Sequence, residues 1–471
     1  MVDTIYADVT VVGSGLLGLS TAFELVGRGL TVAVVGPRTG AYTGQASRAA
    51  GAMLTVFSEV ESSHPAERVA VEVAERLAAR DGYQAWLEQI SAASGRRLDL
   101  IGGVWVVANG YGDDAVELKA IAAAAETRGH HADFASPREV PGLAPQIRAH
   151  EALWLPYEAS LDPGAVMDAL AAVLHAHPRC TWVDATATGV HEQGEHLVVD
   201  AADGGSTMSA HLVLAAGAGI PAVLAEGELA ERVDAPPLRS GRGVSLVVRA
   251  PFIVPAAVRT PNRGFACGSH LVPRPDGATY LGATNRLSTE PDYTTRPSLD
   301  EIATLIHDGA AELNVGLREA ALLEVRVGHR PVTIDHLPVF GRSGHPMVHL
   351  ATGTYRCGVL LAPRAASLVA DGITNPGSHA DHPYSPRRHI TAPALEDFLD
   401  TAARGLVEMI CQPGGQLPAG SEEKLAAFLR AGLLEMSVGS TTRAAVVRRL
   451  WTGTPMAECL PLLMDAAGRL R

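Results

Sequence analysis

The first 35 residues hold the pattern that most limits how this chain folds. Two apolar runs, Ala7–Val12 and Leu30–Val35, enclose the glycine-rich turn Gly13–Gly18 and an apolar helical pattern through Leu19–Val26. A strand, a helix that begins at a glycine turn and a second strand form a βαβ unit, in which the two strands are parallel. Because the crossover helix covers a face of the sheet, the sequence predicts an α/β fold built on a mostly parallel sheet.

The glycine turn has the spacing of a dinucleotide-binding loop. Gly13 allows a tight turn, Gly15 lets the backbone approach a pyrophosphate, and Gly18 lets the helix pack close to the strand. The N–H groups and the dipole at the start of the helix favour a phosphate at this position. The turn therefore predicts a Rossmann-like domain that binds a dinucleotide.

The end of the second strand departs from the usual dinucleotide-binding pattern. It carries Gly36-Pro37-Arg38 where an Asp or Glu commonly binds the ribose hydroxyls. An arginine there is compatible with a 2′-phosphate, and hence with NADP, and equally with a solvated loop charge. The motif alone leaves FAD and NADP open.

The rest of the chain alternates helices with strands, and then changes to short strands separated by Pro/Gly turns between Ala235 and Thr284. This change predicts an antiparallel sheet inserted into the α/β framework. The expected helices are Ala66–Ala93, Val116–Arg128, Pro163–His175, Leu299–Leu313 and Leu360–Ile373. The expected strands are Gly102–Ala108, Leu197–Val199, Leu212–Leu214, Ser245–Val248, Leu271–Val272, Thr279–Leu281 after the turn Pro275-Asp276-Gly277, a strand near Val325, and Met347–Leu350.

Composition excludes several classes of protein. A formal net charge of −13 argues against a nucleic-acid partner or an anionic membrane, because both favour basic surfaces. No apolar run is long enough for a membrane span, and the N-terminus lacks the features of a signal peptide. The five cysteines are far apart and lack metal-ligand spacing, so we expect no metal site, reduced thiols and a cytoplasmic location.

The C-terminal region differs from the rest in composition. Residues 376–394, rich in Pro, His and Ser, are expected to be a linker to a helical extension at 395–471. Its apolar positions fit either packing on the protein itself or contact with another chain, as a homo-oligomer or with a protein partner. The expected helices there are Leu395–Ile410, Glu422–Met436, Thr441–Trp451 and Met456–Leu470, with Leu425, Phe428, Leu429, Leu433 and Leu434 on the apolar faces.

Five stretches in sequence order resemble the D-amino-acid oxidase superfamily, and within it most closely the glycine oxidase (thiamine-pathway) branch. The similarity spans about residues 5–375 and ends before the C-terminal extension. The stretches are Ala46–Leu54 (the flavin-facing loop), Leu212–Gly219, His270–Arg274 with Gly282–Thr284, Gly328–Pro331 with Asp335–Pro338 and Gly341, and Ala351–Pro363 (the C-terminal flavin signature).

The resemblance implies a two-domain α/β flavoprotein that binds FAD non-covalently. The Rossmann-like FAD domain would comprise residues 1–85, 146–225 and 326–375, and the substrate domain, with its antiparallel sheet, residues 86–145 and 226–325. The implied cofactor-binding residues are Gly13, Gly15, Leu16, Leu17 and Gly18 at the pyrophosphate, Gly36 and Pro37 at the ribose, Ala46, Ser47, Gly51, Ala52 and Met53 along the diphosphate and isoalloxazine, Thr188 at the adenine, Gly217 in the second stretch, and Thr354, Tyr355, Arg356, Cys357, Gly358, Val359 and Leu360 at the pyrimidine end of the flavin.

The resemblance also implies catalytic residues. Arg330 would clamp the substrate carboxylate, because a planar guanidinium binds a carboxylate through two parallel hydrogen bonds, and Arg356 would flank the substrate near the flavin. His270 stands where the family commonly has a tyrosine; it could titrate near neutral pH as a hydrogen-bonding group or base, or be structural. Cys357 replaces an asparagine of the glycine oxidase branch and either alters flavin contacts or fills space.

The function that follows is an FAD-dependent oxidase of a small amino acid or related amine, with O2 reduced to H2O2. The alternatives are a flavin dehydrogenase with a protein or quinone acceptor, and an oxidase of an N-substituted, hydrazine-like or carrier-tethered substrate. An assembly subunit with a mainly structural flavin and an NADP-dependent reductase, the latter motivated by Arg38 alone, are further alternatives.

Overall fold

A computed structural model describes most of the chain. It covers residues 4–38, 44–109, 114–147, 149–224, 229–262, 268–288, 290–294 and 296–390, and in the C-terminal region 396, 399–400, 402–404, 406–407 and 421–437. The expected helices Thr441–Trp451 and Met456–Leu470 lie outside the described residues, as does half of Leu395–Ile410.

The helices and strands expected in the described part of the chain are confirmed. The strands are β1 (Thr4–Val12), β2 (Val32–Val35), β3 (Met53–Leu54), β4 (Ile101–Ala108), β5 (Asp133–Ala135), β6 (Glu151–Ser160), β7 (Cys180–Val183), β8 (Ala187–Gln193), β9 (His196–Ala201), β10 (Ser206–Leu214), β11 (Leu238–Arg249), β12 (Ala257–Arg259), β13 (His270–Pro273), β14 (Thr279–Gly282), β15 (Arg286–Ser288), β16 (Ala321–Thr333), β17 (Val339–Arg342) and β18 (Val348–Thr352). The α-helices are α1 (Leu16–Gly27), α2 (Ala46–Ala49), α3 (Ala66–Ser94), α4 (Asp114–Thr127), α5 (Pro163–Ala176), α6 (Ile220–Leu224), α7 (Leu229–Val233), α8 (Leu299–Glu312), α9 (Gly358–Thr374) and the C-terminal helix Glu422–Ser437.

The first sheet contains the predicted βαβ unit. Its strand order is β17-β18-β10-β1-β2-β7, and β8 and β9 extend it beside β10. The pairs β1–β2, β1–β10, β2–β7 and β10–β18 are parallel, so their carboxyl ends meet at one edge of the sheet. Ligands of open α/β sheets bind at this edge, which is where the glycine turn lies.

The second sheet is mostly antiparallel and forms one wall of the site. Its order is β15-β11-β14-β13-β12-β4-β6-β3, with β16 beside β11 and β5 beside β6. Strand β6 lies in this sheet, although the sequence-based boundaries place it in the Rossmann-like FAD domain. Strand β16 lies here along its whole length, across the predicted domain boundary at 325/326. The predicted hairpin is confirmed, with β13 and β14 joined through a turn at Gly277, where φ is +78°.

The side chains of β11 point alternately to the two faces of the second sheet, and the two faces differ in what they contact. Val244, Leu246 and Val248 are buried in a cluster with Leu305 of α8. Ser245 points the other way, and its hydroxyl donates to the carbonyl of Ala49 at 3.1 Å. The face opposite α8 therefore packs on the predicted flavin-facing loop.

Helices α1, α3, α5 and α9 pack together beside the parallel sheet. Helix α1 contacts α9, and α3 contacts both α5 and α9. Leu19, Leu25 and Leu87 are buried to 1% exposure or less, and full burial of each leucine contributes about 1.5–3 kcal/mol. This apolar core holds the amino ends of α1 and α9 in place.

The described part of the predicted linker packs against the domain that contains the first sheet. The guanidinium of Arg388 forms two bonds with the carboxylate of Asp335, at 2.7 and 2.8 Å. The amide of Phe340 donates to the carbonyl of Tyr384 at 2.8 Å, and the side chain of Tyr384 is buried. Residues 376–390 thus lie along β17.

Farther on, Phe428 of the C-terminal helix is 74% exposed, whereas Leu433 is buried. Within the described ranges, no helix has the length and apolar character that a membrane crossing needs.

Candidate active site

The glycine turn has the geometry that the sequence predicts. Gly13 has a φ of +121°, and a Cβ there would lie 2.5 Å from the carbonyl oxygen of Ala215. A Cβ at Gly18 would lie 1.9 Å from the oxygen of Gly13, so only glycine allows this approach of helix and strand. At Gly15 the nearest atom would be the hydroxyl of Ser47, at 3.6 Å. The side of the turn at Gly15 is therefore the open one.

Residues of α2 reach the same turn. The amide of Leu16 donates to the hydroxyl of Ser47 at 3.1 Å, and the side chain of Gln45 donates to the carbonyl of Ser14 at 3.0 Å. Ala46, which begins α2, is the other predicted diphosphate contact in this helix. The structure thus brings Ser47 to the amino end of α1, where no acidic side chain opposes an anion.

The predicted ribose contacts lie at the end of β2. The hydroxyl of Ser14 donates to the carbonyl of Pro37 at 2.5 Å, and the indole of Trp182 donates to the carbonyl of Gly36 at 2.9 Å. Arg38 forms an ion pair with Asp184, at 3.2 Å between Nε and Oδ2. A protein carboxylate therefore satisfies this arginine, and a 2′-phosphate is not needed to explain it.

Two predicted cofactor contacts lie farther along the first sheet. Thr188 is exposed on β8, and its hydroxyl donates to the carbonyl of Asp200 at 3.3 Å. Gly217 follows β10 with a φ of +58°, and no atom lies within 4 Å of where its Cβ would be. Their contacts with the adenine and the diphosphate stay predictions.

The predicted flavin-facing loop is held by two side chains of the second sheet. The guanidinium of Arg274 donates to the carbonyls of Ala50 at 3.1 Å and Gly51 at 3.2 Å. The hydroxyl of Tyr280 donates to the carbonyl of Ala49 at 2.9 Å. Because charged and neutral donors both bind its carbonyls, this loop has a defined path.

The loop then enters β3. Ala52 adopts a φ of +59°, which is rare for a residue with a side chain, and its carbonyl accepts from Leu161 at 3.1 Å. Met53 pairs with Ser160 of β6 and is half-buried. Left-handed backbone at a non-glycine residue is costly and is common at ligand sites.

The C-terminal signature turns sharply before α9. Tyr355 has a φ of +46°, and its amide donates to the carbonyl of Pro331 at 3.0 Å. Cys357 is the residue before α9, and its amide donates to the carbonyl of Thr354 at 2.9 Å. Burial raises the pKa of the Cys357 thiol to about 11, so the thiol is protonated at neutral pH. Its position beside the turn is compatible with a space-filling role.

The amino ends of α9 and α1 lie next to each other. A Cβ at Gly358 would lie 2.7 Å from the hydroxyl oxygen of Thr354 and 3.8 Å from Cδ1 of Leu17. Val359 and Leu360 are buried in the core behind this end. Helix α9 has no acidic residue in its own first turn, and the positive end of its dipole lies towards the same region as that of α1.

Arg330 projects from β16 beside this region. It lies over Gly243, where a Cβ would be 2.3 Å from its Nη1. Nη1 donates to the carbonyl of Thr284 at 3.1 Å and to the amide oxygen of Asn285 at 3.2 Å. The amide nitrogen of Asn285 donates in turn to the hydroxyl of Tyr355 at 2.7 Å. Among the residues that the structure describes, no carboxylate forms an ion pair with Arg330, and its role as a substrate clamp stays a prediction.

Of the two alternatives that the sequence leaves open for His270, the structure does not favour titration near neutral pH. It is buried and stacks on Tyr280, with 5.5 Å between the ring centroids. Burial, followed by the nearby charge of Arg259, lowers the pKa of His270 to about 3, so the ring is neutral at physiological pH. Nδ1 lies 3.2 Å from the carbonyl of Gly268, which only accepts, so Nδ1 carries the proton and Nε2 is an acceptor facing Gly51.

Arg356 is already bound to carboxylates. Its Nε lies 3.2 Å from Oε2 of Glu59, and its Nη2 bonds to Glu61. Its guanidinium carbon is 4.9 Å from the ring centroid of Tyr355. The hydroxyl of Tyr355 accepts from Asn285, which also accepts from Arg330. Whether Arg356 also contacts substrate stays a prediction.

Sequence reasoning missed several residues of this region as site residues. Glu59, Glu61, Arg259 and Asn285 were not expected there, and Arg274 was noted only as part of a resembling stretch. The signal for the carboxylates is two acids at alternate positions, Glu59 and Glu61, soon after the apolar pair Val56–Phe57. An acid in a buried segment indicates a buried partner.

The observed residues fit FAD. Gly13, Gly15 and Ser47 provide an open turn at a helix amino end for the pyrophosphate, and the loop through Gly51 and the amino end of α9 border the space beside Arg330. Negative charge on the pyrimidine end of the flavin would lie near the dipole of α9.

Comparison with known proteins gives the same assignment. The glycine oxidase of Geobacillus kaustophilus is 27% identical over 405 residues, covering 83% of this chain and 99% of that one. A crystal structure of that species' glycine oxidase superposes with a TM-score of 0.69 at 25% identity, covering 82% of this chain and 100% of the other. The bifunctional protein ThiO/ThiG of Nostoc sp. is 28% identical over 404 residues, but this chain spans only 56% of its length. Residues 8–372 match the family described as FAD dependent oxidoreductase (DAO), and the chain belongs to that family.

Proposed function

We propose that this protein is an FAD-dependent oxidase of a small amino acid or a closely related N-substituted amine. The C–N bond is oxidised to an imine, and water hydrolyses the imine to a 2-oxoacid and ammonia or an amine. O2 takes up the two electrons and two protons that the substrate loses, and becomes H2O2. The identities of 25–28% with glycine oxidase and ThiO/ThiG proteins support this reaction class.

The observation that carries the proposal is the state of Arg330. Its guanidinium is half-buried, donates to the neutral oxygens of Thr284 and Asn285, and lies beside the loop that borders the flavin space. A carboxylate that binds the remaining N–H groups would form charge-assisted hydrogen bonds in a partly desolvated place. Arg330 would thereby fix one end of an amino acid and direct its Cα–H.

The other residues support orientation more than acid–base chemistry. FAD, when bound, supplies the two-electron acceptor for the Cα–H bond. The Nε2 lone pair of His270 can accept a hydrogen bond from the substrate amine, which must be uncharged to react. The stacked, buried rings of Tyr280 and His270 would exclude water and help to hold the substrate in one orientation.

A dehydrogenase, or a tailoring oxidase that works with a protein partner, is the second candidate. The C-terminal helix favours it, because Phe428 is 74% exposed there and such an aromatic side chain is suited to contact with another chain. Either enzyme would oxidise its substrate in the same way, but O2 would reoxidise the dehydrogenase slowly.

The test is a substrate screen on purified, flavin-loaded protein. Glycine, N-methylglycine, both enantiomers of alanine and simple alkylamines are supplied under air, and H2O2 is measured. We expect peroxide from at least one small amino acid and none from amines that lack a carboxylate. Bleaching of the flavin absorbance without O2, combined with no peroxide under air, would favour the dehydrogenase. No reaction with any amine in either condition would contradict the proposal.

A further inference from the structure

A small polar cavity lies between helix α3 and the turn that precedes α9. Its volume is about 30 Å³. A cavity needs about 10–15 Å³ to hold one water-sized particle, so this one has room for about two. It is too small for an amino acid or a flavin ring. Its charged lining residues are Glu59, Arg68, Glu72, Arg76 and Arg356.

Arg76 brings a buried positive charge to this cavity. Its side chain is 9% exposed, and within the described part of the chain the hydrogen-bond partner of its guanidinium is Glu72 alone. Arg68, one turn earlier on the same face of α3, donates to the same carboxylate at 2.7 Å. Glu72 therefore neutralises one of two arginines. The remaining N–H groups of Arg76 are left towards the cavity that it lines.

The neighbouring ion pairs do not supply the missing negative charge. Glu59 contacts both Arg259 and Arg356, and Arg356 also bonds to Glu61. These two carboxylates are balanced by these two arginines. Together with the pairs on α3, four arginines meet three carboxylates among the described residues, which leaves one positive charge over.

Two histidines that line the cavity are affected by the same arginines. Burial, followed by Arg68 and Arg356, lowers the pKa of His336 to about 4. Burial, followed by Arg68, also lowers the pKa of His64 below its ordinary value. Neither ring adds a charge at neutral pH, and each keeps one N–H as a donor. A buried charge is costly unless it is paired, so the excess charge of Arg76 favours a bound anion.

We infer that this cavity binds one small monovalent anion of the size of chloride, with Arg76 as its main ligand. One excess charge matches one monovalent ion, and the volume excludes sulfate, phosphate and the carboxylate of an amino acid. Among its described lining residues, none belongs to the glycine turn Gly13–Gly18 or to the flavin-facing loop Ala46–Leu54. The cavity is thus separate from the predicted substrate clamp, and the anion does not depend on which substrate the enzyme oxidises.

A crystal structure of the flavin-loaded protein with bromide tests the location. Bromide replaces chloride and is identified by its anomalous scattering, so sodium bromide is supplied as the sole halide. We expect one bromide in the cavity, in contact with the guanidinium of Arg76. Water in the cavity, with bromide bound elsewhere or nowhere, would overturn the inference.

Chlorine NMR of the same flavin-loaded protein tests binding in solution. Bound chloride relaxes faster than free chloride, so the line width reports the bound fraction. We expect half-saturation below about 100 mM chloride, displacement by bromide, and no displacement by sulfate at equal ionic strength. If bromide is seen in the crystal but chloride does not bind below about 100 mM, the ion binds at crystal concentration only, and the inference fails.

Two arginine variants assign the ligand. Arg76→Met keeps an apolar stem and leaves Glu72 paired with Arg68, and it should weaken chloride binding at least about tenfold. Arg364→Met is the matched control, because Arg364 donates to Glu75 at 3.0 Å and does not line the cavity. Its chloride affinity should stay within about threefold of wild type. Unchanged binding in Arg76→Met, or equal losses in both variants, would contradict the role of Arg76. The two wild-type measurements decide the matter if Arg76→Met does not fold.

Discussion

The hydroxyl of Tyr83 donates to the backbone carbonyl of Val359 at 3.1 Å. In a regular helix this carbonyl would accept from the amide of residue 363, but that residue is Pro363, which has no N–H. A buried side chain of α3 therefore replaces the missing helical hydrogen bond in the first turns of α9. The contact stabilises the helix end that borders the site.

Tyr83→Phe tests this replacement. It leaves a buried carbonyl without a donor, so the free energy of unfolding should fall by about 1–3 kcal/mol. In a Pro363→Ala background the new amide supplies a donor, so Tyr83→Phe should cost less there, with a coupling of about 1 kcal/mol in the double-mutant cycle. Urea denaturation of the four proteins measures it. An equal cost in both backgrounds would show that the hydroxyl does not replace the helical donor.

Substitutions at two glycines of the turn should have different effects on folding and on cofactor binding. A Cβ at Gly18 would overlap the backbone of Gly13. Gly18→Ala should therefore lower the free energy of unfolding by about 2–3 kcal/mol and also lower the flavin content.

Gly15 has an ordinary φ of −75° and open space at its Cβ position. Gly15→Ala should therefore change the stability of the apoprotein by less than about 1 kcal/mol and raise the dissociation constant for FAD at least about tenfold. Quenching of flavin fluorescence on titration of apoprotein measures this constant. FAD binding by Gly15→Ala at wild-type strength would contradict the assignment of the turn.

Some of the fold and site was predictable from sequence because the signals are local. The βαβ unit, the β13–β14 hairpin and helix α3 each depend on neighbouring residues, and the structure confirms them. The sheet membership of β6 and β16 depends instead on pairing with distant strands. The ion pair of Glu59 with Arg259 joins residues 200 positions apart, and no local pattern specifies such a partner.

The electrostatic state of the site residues was the least predictable property. A histidine at 270 has an ordinary pKa near neutrality, and only its burial beside Arg259 shows that it stays uncharged. Arg330, which has no carboxylate partner in the described part of the chain, and Arg356, which has two, look equivalent in the sequence. Their difference arises from which carboxylates the fold places beside them.

A buried histidine of the first sheet, on the face that packs against α9, predicts a pH effect on stability. His349 of β18 has no exposed surface, and neither ring nitrogen has a hydrogen-bond partner within the described part of the chain. Burial, then His211 and Arg342, lowers its pKa to about 3. Below its unfolded pKa of about 6.5, the unfolded chain binds a proton that the folded protein does not, so stability falls as the pH decreases.

His349→Leu should remove this penalty. At pH 7.5 the variant should gain about 1–2 kcal/mol from the loss of an unpaired polar group, and the advantage should grow by about 1.4 kcal/mol at pH 5.5. Denaturant unfolding at both pH values measures it. His191→Leu, at an exposed position of β8, is the control and should shift stability by no more than about 0.5 kcal/mol. An advantage of His349→Leu that does not depend on pH would contradict the predicted titration.

If Arg330 binds the substrate carboxylate, Arg330→Ala should lose turnover, measured as kcat/KM at matched flavin content. The assay uses the amino acid that gives the most peroxide with wild-type protein, and Arg249→Ala, an exposed arginine on β11, is the control. Loss of the clamp should lower kcat/KM by about 10²–10⁴-fold while the flavin absorbance is retained, and the control should match wild type. A flavin-loaded Arg330→Ala protein that oxidises the substrate as fast as wild type would show that Arg330 is not the substrate clamp.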